Sequence, residues 1–97
     1  MSERPRLPRD LIDVLTSFRR TKDVDLVLTD LLTPAEIETL TERWEIIKRL
    51  DAGQSQREVR DGLGVSVTTV SRGSRGLKYG VGGFRVALDR LAERGRA

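Results

Sequence analysis

The side chains equipped for chemistry in this sequence are hydroxyls and cations gathered in its second half. Val67, Thr68, Thr69, Ser71 and Arg72 follow Ser66 almost without interruption, Lys78 comes a little later, and Gln56 and Arg57 stand just upstream. Short side chains ending in a hydroxyl or a methyl approach base edges and thymine methyl groups closely, while arginine and lysine meet phosphates. Gln56 and Arg57 are spaced to reach a phosphate or a guanine. The chemistry on offer is therefore the grip of a nucleic acid rather than bond-making.

What is missing narrows the choice further. The chain contains no cysteine and no histidine, which removes disulfides, thiolate nucleophiles, imidazole bases and zinc sites built from those residues. Serines, threonines and carboxylates are present without a base constellation. Gly80-Val81-Gly82-Gly83 follows no strand, so it is not read as a phosphate-cradling loop. An enzyme is not expected, and neither a metal nor a catalytic cofactor is.

The net charge is +3, but its distribution is more informative. Residues 1–53 carry 9 basic and 11 acidic side chains, whereas residues 54–97 carry 9 basic and 4 acidic. Between Asp61 and Asp89 there is no acid, only Arg72, Arg75, Lys78 and Arg85. A half that faces a polyanion has this asymmetry, and so does a merely solvated basic surface.

These residues need elements to position them, and the patterning is helical throughout. Leu11, Leu15 and Phe18, with Ile12 and Val14 beside them, predict a first helix over Pro8 to Arg20. A second covers Asp23 to Leu31, and its apolar residues nearly encircle it, so burial on several sides is expected. Thr33-Pro34-Ala35-Glu36 combines a capping hydroxyl, a proline at the first helical position and a glutamate that reaches back. It opens a third helix over Pro34 to Ala52 with the stripe Ile37, Leu40, Trp44, Ile47 and Leu50, stopped by Gly53. Trp44 is a core or dimer residue on that stripe. Ser55-Gln56-Arg57-Glu58 caps a short fourth helix ending near Leu63 and Gly64, and Ser66 caps a fifth. Tyr79 to Gly83 is too rich in glycine for stable helix and reads as a hinge or loop. Phe84, Leu88 and Leu91 define a last helix to about Arg94.

Two short capped helices meeting across a glycine-bearing turn have the layout of a helix-turn-helix, in which the second helix enters the major groove. A pair of capped helices in an ordinary core would show the same caps. Arg60 sits where many such motifs bury alanine, so it must turn outward or the crossing must be open; it is counted with the DNA-facing residues. The fold expected is all-α, a single domain over 1–97. Residues 1–53 form core and dimerisation helices, 54–78 the reading head and 79–97 a hinge and final helix. With 97 residues to build a core, a second copy is expected. No apolar run approaches the roughly 20 residues that span a bilayer. Met1 to Asp10 lacks the apolar stretch of a secretory signal, so the expected location is the cytoplasm.

Leu32-Thr33-Pro34, Arg43, Ser55-Gln56-Arg57-Glu58, Leu63-Gly64, Thr69-Val70-Ser71-Arg72-Gly73-Ser74 and Leu77-Lys78, in that order, resemble the Trp repressor family. The resemblance covers Asp23 to Lys78 well and the first and last helices in outline. It implies an intertwined homodimer that binds a palindromic double-stranded DNA operator when L-tryptophan, a small-molecule corepressor, is bound. It further implies that the indole lies between Arg43 and Arg72, with Thr33 near the carboxylate, Gly73 admitting the ring and Thr69 alongside. The family serine that helps hold the ligand's amino group is Gly76 here. A guanidinium plane stacks on an aromatic face and also satisfies a carboxylate, which suits both arginines to that work; Arg43 alone also fits a salt bridge to Glu36 or Glu42. Repression of tryptophan biosynthesis or transport genes is the function that follows, with the ligand orienting the reading head. Two other readings stay open: a ligand-independent or differently liganded regulator on the same fold, and a helical protein-interaction module.

Overall fold

The computed structural model describes residues 4–95 and contains six helices, with no strand among the described residues. They are α1 (Arg9–Ser17), α2 (Thr21–Leu31), α3 (Pro34–Asp51), α4 (Gln56–Leu63), α5 (Val67–Tyr79) and α6 (Gly83–Gly95). Contacts divide the chain into two units, Met1–Ile37 and Glu38–Ala97.

In the first unit α1 ends at Ser17 rather than running to Arg20. Thr16 and Ser17 turn their hydroxyls back onto the Ile12 and Val14 carbonyls at 2.8 and 2.7 Å, and Phe18 is already extended. Such back-bonding by short hydroxyls competes with helix propagation. α2 starts at Thr21, two residues before the expected Asp23, with Asp23 in its first turn where a carboxylate favours the positive helix end. The stripe Leu11, Leu15 and Phe18 is half-buried. The expected all-round burial of α2 is not found: α1 and α2 contain no buried residue, and Leu26 and Leu31 are 54% and 57% exposed. Within one chain this short helical unit has too little surface of its own to cover an apolar helix on several sides.

The second unit holds the core. Ile46, Val59 and Val70, one each from α3, α4 and α5, are buried together, with Leu50, Leu63 and Val65 packed around them. Burying a side chain of this size contributes about 1.5–3 kcal/mol, so this cluster is what joins the two short helices to α3. Gly73 lets α5 come close: a Cβ there would stand 2.6 Å from Ile46 Cγ2. The connection to α6 is shorter than the expected hinge. Tyr79 and Gly83 are helical and only residues 80–82 break the run, because the glycine penalty of a helix interior does not apply to a glycine at a helix end. Gly80 closes α5 by donating its N–H to the Gly76 carbonyl at 3.0 Å, and Gly82 adopts φ 96°, which favours glycine.

Candidate nucleic-acid interface

The pair α4 and α5 is built from its caps upward. Ser55 accepts from the Glu58 amide at 3.1 Å and donates its own amide to Glu58 Oε1 at 3.0 Å, a reciprocal capping box at the start of α4. The amide of Ser55 donated to the carboxylate, and after it the Ser55 side chain, favour the charged form and hold the Glu58 pKa below its usual value. α4 ends on Gly64 in the left-handed conformation, φ 69°, the stop that lets the chain turn into the next helix. Ser66 then caps α5 by accepting from the Thr69 amide at 3.1 Å, and the Ser66 and Thr69 hydroxyls lie 2.7 Å apart. A further bond ties the helices: Ser71 Oγ donates to Gln56 Oε1 at 3.1 Å.

With the caps set, the helical repeat decides which side chains face outward. Val70 is buried and Gly73, Ser74 and Leu77 are half-buried, so the inner face of α5 runs along them. Thr68, Arg72, Arg75 and Tyr79 lie on the opposite side and are exposed, with Val67 and Lys78 exposed beside them. Tyr79 is 80% exposed. Arg72, Arg75 and Lys78 make no ion pair among the described residues, and neither does Arg57. A row of uncompensated cations behind a tip of hydroxyls and methyls is suited to phosphates flanking a groove.

Of the expected DNA-facing residues, Gln56, Arg57, Val67, Thr68, Arg72 and Lys78 are exposed, while Thr69 and Ser71 are half-buried and engaged with Ser66 and Gln56. Arg60 turns aside to Asp61, its Nε 2.9 Å from Oδ1, and Val59 takes the buried place in α4. Arg75 and Tyr79 join these residues on the outward face. Their signal is spacing, since Arg75 and Tyr79 follow Thr68 by seven and eleven residues on one face.

Of the expected ligand residues, Thr69, Arg72, Gly73 and Gly76 stand at i, i+3, i+4 and i+7 on α5 and so line one flank of it, between the inner face that holds Gly73 and the outward face that holds Arg72. Arg43 is exposed on α3 and makes no ion pair among the described residues, so the bridge to Glu36 or Glu42 is not formed. It precedes the buried Ile46 and Ile47 by three and four residues, which puts its stem on the α3 face where Gly73 rests. Gly73 touches Ile46, and the space beside Gly76 is taken by Phe84, whose Cε2 would lie 2.7 Å from an added Cβ. Thr33 caps α3, accepting from the Glu36 amide at 3.2 Å and donating to its carboxylate at 2.9 Å. Trp44 is half-buried with Lys48 Nζ 5.8 Å from its ring centroid.

No helix among the described residues is long and apolar enough to cross a membrane. The family model described as Trp repressor protein matches residues 9–92. A Trp operon repressor homolog of Vibrio vulnificus is 34% identical over 96 residues, which are 96% of this chain and 94% of that protein. A Trp operon repressor homolog of Xylella fastidiosa is 41% identical over 69 residues, 70% of this chain and 75% of its own length. The uncharacterized protein YerC of Bacillus subtilis is 32% identical over 88 residues, covering 88% of this chain and 85% of its own. No solved structure matches the chain significantly. The match runs from the first residue of α1 into α6 and takes in the whole helix-turn-helix, and the chain belongs to the Trp repressor family, whose members are regulatory DNA-binding proteins and not enzymes.

Proposed function

We propose that the protein is a sequence-specific transcriptional repressor that binds an operator as a homodimer, with L-tryptophan as corepressor and genes of tryptophan biosynthesis or transport as targets. The observation that carries DNA reading is the outward face of α5, where Thr68, Arg72 and Arg75 stand exposed with no carboxylate bound to them. Residues 54–78 are the reading head in this scheme and residues 1–53 the dimerisation helices. Support for a second copy comes from α1, α2 and the start of α3, where Leu26, Leu31 and Leu40 are each more than half exposed. Leucines left exposed along short helices call for cover, which a second copy would supply.

The corepressor reading rests on Arg43 and Arg72, both without a carboxylate partner, with Arg43 on α3 one turn before Ile46 and Arg72 next to Gly73 on the flank of α5 that adjoins the Gly73–Ile46 contact. An aromatic amino acid held by two guanidinium groups would couple α5 to α3 and favour one orientation of the reading head. Calorimetry with L-tryptophan tests this: saturable binding that Arg72→Ala weakens at least tenfold is the expected result, and no heat with an intact DNA affinity would refute it. A second reading, a regulator of the same fold that works without tryptophan, is favoured by Phe84 filling the space beside Gly76. The two separate by whether L-tryptophan changes operator affinity.

A further inference from the structure

Arg85 is the cation of the acid-free stretch whose charge is already spent. Its Nη1 and Nη2 hold both oxygens of Asp51 at 2.8 and 3.2 Å, and its Nε holds Asp89 at 2.9 Å. Asp51 is the last residue of α3, and Arg85 lies in the first turn of α6. Next to it, Phe84 presses its ring on Gly76 of α5. The first turn of α6 therefore grips α3 through one residue and α5 through its neighbour. The ion pair borders an open groove whose other walls include Gln56, Ser74, Leu77 and Lys78, so it stands beside the reading head without being part of its outward face.

We propose that Arg85 is a positioning residue for DNA binding, making α6 a bracket between α3 and the rear half of α5. The inference rests on the DNA-binding reading. Thr68 and Arg72 lie on the same continuous helix as Gly76, so any tilt of its rear half moves the tip. A bidentate arginine–carboxylate pair fixes direction as well as distance, which a lysine's point charge does not. The bracket and a ligand between α3 and α5 act on one equilibrium between orientations of α5. The bracket holds part of the population in the DNA-competent orientation before any ligand binds, so breaking it lowers ligand-free affinity and enlarges the ligand's effect.

The test has two stages on the full chain. Amide hydrogen exchange of the free protein comes first: Arg85→Gln and Asp51→Asn are each expected to speed exchange across residues 73–79, and the double variant is expected to add little to either. Unchanged protection, or additive effects, would overturn the bracket whether or not the protein binds DNA. The second stage uses a duplex selected by the wild-type protein from a random pool, with and without L-tryptophan. Because both partners are substantially exposed, 52% and 36%, Arg85→Gln is expected to weaken ligand-free binding by about fivefold, with Arg85→Lys in between. The salt dependence of binding stays as in the wild type and any gain on adding L-tryptophan becomes larger. A shallower salt slope for Arg85→Gln would make Arg85 a phosphate contact and contradict the proposal, as would unchanged affinity. Failure of the wild type to select or bind any duplex would instead refute the DNA-binding reading, leaving the exchange result to judge the bracket.

Discussion

Ser55 and Glu58 exchange two hydrogen bonds at the start of α4, and that reciprocity makes the reading head sensitive to acid. A carboxylate whose pKa is depressed on folding stabilises the fold fully above its unfolded value, about 4.3 for glutamate, and that contribution disappears as the pH falls through the native value. Asp51, lowered chiefly by its hydrogen bond from Arg85, follows the same sign. Melting temperature is therefore expected to fall on acidification below about pH 4, and Glu58→Gln is expected to flatten part of that fall. Ser55→Ala removes the cap and is expected to cost about 1 kcal/mol by denaturant titration. Arg75, free of any ion pair among the described residues, is a phosphate contact in this scheme. Arg75→Gln is thus expected to leave stability unchanged and to reduce the slope of log affinity against log salt by about one.

At the scale of elements, what the sequence makes legible is what is local. The caps at Thr33, Ser55 and Ser66 and the stop at Gly64 are visible in the residues because each is a contact between neighbours a few positions apart. Ile46 escaped the stripe of Ile37, Leu40, Trp44, Ile47 and Leu50 because its burial comes from α5 arriving at Gly73, which no periodicity within α3 announces. The pair Arg85–Asp51 spans 34 positions and leaves no local trace. Arg75 and Tyr79 are recoverable once the inner face of α5 is known. The close α3–α5 contact has its own test. Gly73→Ala gains about 1 kcal/mol of helix propensity, but its Cβ would meet the branched methyl of a buried isoleucine, and overpacking of this kind costs about 1–3 kcal/mol. A net loss of stability is expected, and a Gly73→Ala protein melting higher than the wild type would refute the close approach.

For the whole molecule, the two contact units differ in what they bury. Among the described residues the unit ending at Ile37 has no buried side chain, while the unit from Glu38 holds the buried cluster. Fold class and the capped pair α4 and α5 are legible in composition and caps; the lack of burial in α2 is not, because an encircling apolar pattern states only that cover is needed and not which chain supplies it. Sedimentation equilibrium is expected to give a dimer, and replacing Leu26 and Leu31 by lysine is expected to shift it toward monomer.

The claim on which the functional reading depends is that the outward face of α5 enters a duplex groove. Fluorescence anisotropy with a duplex selected by the protein, set against a scrambled duplex and repeated between about 50 and 200 mM salt, tests it most directly. The expected result is affinity that falls steeply with salt and a preference for the selected duplex that Thr68→Ala with Arg72→Ala abolishes. Affinity indifferent to salt, or a preference that survives both substitutions, would contradict it.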